Sequence, residues 1–103
     1  MDLDNININT EDINLFIKSY KNRGSINFLD TSILDNFNIT LDALLLLKKK
    51  YNNNEISLEK YLYLISLIEL YLLKKNNYIE EDEIFVFLSN EILLVEIELE
   101  KQI

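Results

Sequence analysis

Carboxylates are the chain's most abundant reactive groups, and two clusters of them have spacings that could do chemistry. Glu80-Glu81-Asp82-Glu83 sets four carboxylates in a row, the donor type that hard cations such as Ca²⁺ and Mg²⁺ take. The run lacks the alternating ligands and central glycine of an EF-hand loop, and so reads more simply as a solvated loop or a helix start. Glu96, Glu98 and Glu100 alternate with Ile97 and Leu99. On a strand they would project from one face at intervals of about 6.7 Å, twice the strand rise. Such a row could imitate successive phosphates and occupy a basic groove. Its plainer reading is the polar side of a half-buried strand.

Other reactive constellations are missing. The 103 residues contain neither cysteine nor histidine. A disulfide framework, a thiolate metal site and a cysteine nucleophile are therefore excluded, and the commonest general base and transition-metal ligand are absent. No glycine-rich phosphate loop occurs, since Gly24 is the only glycine. With no nucleophile set beside a base, the chain is expected to be non-enzymatic, with no metal and no cofactor.

Charge is the most specific functional feature. The net charge is −8, and it is uneven: side chains sum to −4 over residues 1–47, +3 over 48–75 and −7 over 76–103. An acidic chain of this kind is repelled by phosphate backbones and anionic membranes, so neither direct nucleic-acid binding nor membrane binding is expected. A cationic partner surface suits it. Lys48–Lys50 and Lys74-Lys75 fall at predicted helix C-termini, where the helix dipole favours cations, and need no shared ligand to explain them. Heavy use of Asn, Ile, Lys and Leu matches AT-rich codons, so the scarcity of Gly and Pro reflects a low-GC genome more than a function. The segment MDLDNININT has neither a basic nor an apolar signal region, and cytosol is the expected compartment.

The elements that must position these groups follow from periodicity and caps. DNININ, residues 4–9, alternates polar residues with Ile6 and Ile8 and is read as an extended arm or edge strand. Thr10 reads as the N-cap of a first helix over about 10–23, with Ile13, Phe16, Ile17 and Tyr20 on one face and Gly24 as its C′ residue. Residues 25–39 read as a connection with Ile26, Phe28, Ile33, Leu34 and Phe37 turned inward and Asp30 capping a short turn. Thr40 then caps a second helix, with Leu41, Leu44, Leu45 and Leu47 buried and Asn52-Asn53-Asn54 as its break. Ser57 caps the third, completing an αα-hairpin.

The third helix, 57–74, is apolar nearly all round, which predicts a central buried element. Its run is too short and too interrupted, by Ser66 and Glu69, for a membrane span of about 20 residues. Tyr63, Leu67, Leu70 and Tyr71 fall on the side away from its main stripe and are candidates for a partner contact, since Tyr presents an apolar ring with a polar tip.

At the C-terminal end, Ile84–Leu88 is rich in β-formers, Ser89-Asn90 resembles a turn, and Val95–Glu100 alternates strictly. A β-hairpin over about 83–88 and 92–99 is expected, because a helix would scatter Glu91, Glu96, Glu98 and Glu100 among apolar neighbours. The fold class is thus α+β: one domain over 1–103, with three main helices and a C-terminal hairpin packed on them.

The preferred function is a small acidic protein-binding module, of the inhibitor or immunity type, acting on a basic partner surface. Its candidate contacts are Glu80, Glu81, Asp82, Glu83, Glu96, Glu98, Glu100, Tyr63, Leu67, Leu70 and Tyr71. Two alternatives share these features: a self-assembling structural subunit, in which the spare side of helix three or a hairpin edge pairs with a copy, and a nucleic-acid mimic that blocks a nucleic-acid-binding protein.

Overall fold

A computed structural model of the chain describes residues 3–24, 28–75 and 82–102. These form four α-helices, α1 (Thr10–Lys21), α2 (Leu41–Asn52), α3 (Leu58–Lys74) and α4 (Glu83–Lys101), with short 3₁₀ turns at Leu3–Asn5 and Thr31–Leu34. Every α-helix starts on a side-chain oxygen that accepts an otherwise orphaned backbone N–H. Asn9 accepts from Glu11, Thr40 from Ala43, Ser57 from Lys60 and Asp82 from Ile84, at 2.8–3.1 Å.

Two caps differ from the sequence reading. The N-cap of α1 is Asn9, so Thr10 is its first helical residue. At its other end the left-handed residue is Arg23, with φ of 56°, and not Gly24. The Gly24 N–H reaches Ser19 O at 2.7 Å and the Arg23 N–H reaches Tyr20 O at 3.0 Å, the paired bonds of a Schellman motif. A Cβ at Gly24 would stand 2.6 Å from Ser19 Oγ and 3.3 Å from Ser19 O, so a larger residue there must turn the Ser19 hydroxyl aside and crowd its carbonyl. α2 ends the same way, with Asn54 at φ of 62° and Glu55 N–H bonded to Lys50 O.

α3 is central. It packs against α1, α2, α4 and the turn Thr31–Leu34, most extensively against α4. Eight consecutive residues, Tyr61 through Ile68, are buried, which only a helix covered on all sides achieves. Each fully buried Leu or Ile contributes about 1.5–3 kcal/mol of hydrophobic stabilisation. α1 closes over α3 through Phe16, whose ring meets Tyr63 edge-on at 5.3 Å. Leu34, and with it Leu29, fill the space beneath the 3₁₀ turn that Asp30 caps, whereas Phe28 and Ile33 face outward and Ile26 lies outside the described residues. On α2, Leu44 and Leu47 are buried but Leu45 is exposed.

The α+β expectation fails at both ends of the chain. Among the described residues no strand occurs. Residues 3–5 are a 3₁₀ turn held by Lys50, whose Nζ donates to Asp4 Oδ1 at 2.8 Å, and by Lys60, whose Nζ donates to the Asp4 carbonyl at 2.9 Å. The brief alternation of Ile6 and Ile8 has no partner strand to pair with, and Ile6 is instead buried in the helical core.

The segment expected to be a hairpin is the single helix α4, 19 residues long. Phe85, Leu88, Val95 and Leu99 are buried along it, with Ile92 packed against the same core. Their spacing of three, four and seven is a helical stripe facing α3. It was obscured by two features. Glu91 lies on the buried side, and Val86, Leu93, Leu94 and Ile97 lie exposed, so apolarity does not mark the inner face alone. The helix signals that were present are Asp82 as N-cap, Glu83 in the first turn and Lys101 in the last.

Candidate functional site

α4 has an inner face that fastens it and an outer face that nothing in the described chain covers. The inner face is organised by Glu91, whose side chain is 7% exposed. The Tyr61 hydroxyl donates to its Oε1 at 2.8 Å, and Lys48 Nζ donates to Oε2 at 3.0 Å. One carboxylate thereby ties α2, α3 and α4 together. Tyr51 stacks on Tyr61, with centroids 4.4 Å apart and rings 5° from parallel, and the Lys48 ammonium stands 5.8 Å from the Phe87 ring centroid. Burial, then the bond to Glu91 and its charge, push the Tyr61 phenol far above its ordinary pKa. Both Glu91 oxygens are engaged and Tyr61 is fully buried, so of the three only Lys48, 37% exposed, reaches solvent. It is a clamp.

A second link joins α1 to α4, where the Tyr20 hydroxyl donates to Glu96 Oε1. Burial, that bond, and the charges of Glu96 and then Glu69 raise the Tyr20 pKa strongly. Glu69 itself, half-buried on α3, has its carboxyl pKa raised by desolvation. Beside this link a cleft of about 620 Å³ opens between the C-terminal ends of α1 and α4, with Lys21 and Arg23 from one helix end and Glu96 and Glu100 from the other. Its charges balance, and the hydroxyl–carboxylate pair on its wall is Tyr20–Glu96, whose phenol is held protonated by a raised pKa.

The sequence-predicted contacts are thus dispersed. Glu80 and Glu81 lie outside the described residues. Asp82 is spent on capping α4, and Glu83 is exposed in its first turn. Glu96, Glu98 and Glu100 form no row: on a helix their spacing of two turns successive side chains about 200° apart. Glu96 bonds Tyr20, Glu98 pairs with Lys101 at 3.2 Å, and Glu100 is exposed. On α3, Tyr63, Leu67 and Leu70 are buried and Tyr71 is half-buried with Lys75 Nζ 5.3 Å from its ring centroid. The protein's own core occupies the first three. Among the described residues no group of three or more acidic side chains converges as a metal site, and no helix is long and apolar enough to cross a membrane.

The surface that sequence reasoning missed is the outer face of α4. Val86, Leu93 and Ile97 follow one another at seven and four residues, which stacks them on one side of the helix, with Leu94 beside them. Each is 48–59% exposed. Leu94 comes seven residues after Phe87, on the side that Lys48 of α2 approaches, and Leu45, one turn before Lys48, is exposed as well. The stripe is bracketed: Glu83 stands one turn before Val86 and Glu100 one turn after Ile97. Had residues 83–101 been laid on a 3.6-residue wheel with Glu91 allowed inside, this second stripe would have appeared opposite the first. No family model, curated protein or solved structure matches the chain.

Proposed function

We propose that this protein is a non-enzymatic binding module that recognises a protein partner with a basic surface through the outer face of α4. The observation that carries the reading is the exposed stripe Val86, Leu93, Leu94 and Ile97 on a helix whose opposite face is already filled. Scattered single apolar residues are ordinary on a protein surface, but an aligned set on one helix face marks an interaction site. The carboxylates at its ends, and a net charge of −8, select for cationic partners and against nucleic acid or anionic lipid. The buried clamp and the dispersed carboxylates support a scaffold role for the polar groups and no catalytic one.

The test is affinity capture with the intact chain and with a Leu93→Ser/Ile97→Ser variant, after circular dichroism has shown equal helicity. A protein retained by the parent and lost with the variant supports the reading, and its retention should weaken with salt. Identical capture by both chains rejects it.

A further inference from the structure

From the same face, and resting on that reading, we infer that the occupant is a cationic amphipathic helix that lies along α4 and carries basic residues at both ends of its own apolar stripe. The stripe is straight and one residue wide at its ends, which suits the ridge of another helix better than a flat surface. From Glu83 to Glu100 is 17 residues, or about 25 Å of helix axis. A partner helix running along the stripe therefore meets a carboxylate at each end and, between them, Val86, the exposed amide of Asn90, and then Leu93, Leu94 and Ile97.

Charge decides against a second copy of this chain. An antiparallel copy that set Val86 over Ile97 would set Glu83 over Glu100 at both ends, and a parallel copy would set each carboxylate on itself. Lys101, the only base on α4, is paired with Glu98 and would fall over Asp82 in the antiparallel register, but it stands against Asp82, Glu83, Glu98 and Glu100 at each end, which stay net negative. Like charges placed opposite each other oppose association, whereas lysines or arginines there would complete it. Anionic membranes are disfavoured by the same bracket.

The experiment uses the full chain and fluorescence anisotropy with three synthetic helical peptides. One has leucines at i, i+7, i+8 and i+11 with lysines about 17 positions apart beyond them; the second has the same composition scrambled; the third replaces the lysines by glutamates. The first should bind at least tenfold more tightly than either control, and Leu93→Ser/Ile97→Ser should abolish the difference. A Glu83→Lys/Glu100→Lys variant should weaken the lysine peptide at least about fivefold and favour the glutamate peptide, a charge-reversal signature.

Equal binding of the striped and scrambled lysine peptides would overturn the inference, since it leaves only diffuse attraction. So would a dimer by light scattering whose dissociation follows Leu93→Ser/Ile97→Ser, or stronger partition of the chain to lipid vesicles than to the peptide. If the peptides fail while affinity capture still depends on Leu93 and Ile97, the helical occupant is wrong and the binding-module reading stands; if both fail, both fall.

Discussion

The Tyr61 hydroxyl and the Glu91 carboxylate, 30 residues apart on α3 and α4, meet at 2.8 Å in the interior, with Lys48 of α2 on the other carboxylate oxygen. The bond satisfies the one buried charged side chain among the described residues, on the face of α4 that Phe85, Leu88, Val95 and Leu99 also turn inward, opposite Val86, Leu93 and Ile97.

Breaking this pair should cost more from one side than from both. Glu91→Leu leaves the buried Tyr61 hydroxyl without an acceptor, a loss of about 1–3 kcal/mol, while Lys48, 37% exposed, turns to water. Adding Tyr61→Phe removes the orphaned group, and the double variant should recover part of the loss. Urea denaturation of the four chains of the cycle reads this coupling, and strictly additive losses would contradict it.

The two faces of α4 and the core of α3 should respond differently to truncation. Ile65→Ala, at a fully buried position, is expected to destabilise by about 2–5 kcal/mol. Leu93→Ala should stay within about 0.5 kcal/mol, as surface changes do. Thermal and chemical denaturation distinguish the two; a large loss at Leu93 would mean that the outer face is packed.

Arg23 holds a left-handed backbone, φ of 56°, that costs an ordinary L-residue about 1–2 kcal/mol. Arg23→Gly should relieve much of that, offset by glycine's greater freedom in the unfolded chain, and raise stability by about 0.5–1 kcal/mol. A fall in the denaturation midpoint would count against the Schellman geometry.

Glu69 gives a pH dependence of known sign. Its carboxyl pKa is raised by burial above the ordinary 4.5, so the folded state keeps its proton at pH values where the unfolded chain has lost it. Its contribution to stability is greatest below 4.5 and declines as pH rises through the raised folded value. Tyr20, which bonds Glu96 and feels the Glu69 charge, keeps its proton throughout that window, as a phenol of ordinary pKa 10 already would. Glu69→Gln should therefore match the parent in Tm near pH 4 and exceed it at pH 7. Parallel curves across the range would refute this.

Much of the helical half was legible in the sequence because its signals were local and mutually consistent. Thr40 and Ser57 cap as their spacing implied, and α3 is buried all round as its composition required. Arg23 was not legible, since a lone glycine next door is the better left-handed candidate by propensity alone. α4 was misread because tertiary structure overrode pattern. Glu91 sits inside only because Tyr61 and Lys48, distant in sequence, meet it there, and the alternation of Val95–Glu100 fits a strand as well as a helix with one wet apolar side. The same misreading hid the candidate site, which becomes visible only once Val86, Leu93 and Ile97 are placed on one helix.

The most direct test of the outer face of α4 as the working surface is methyl NMR of the full chain titrated with the lysine-ended striped peptide. Shifts are expected at Val86, Leu93, Leu94 and Ile97, with Leu88 and Val95 on the inner face unmoved. Shifts centred on the α1 or α3 methyls, or on Leu88 and Val95, would contradict that role for the outer face.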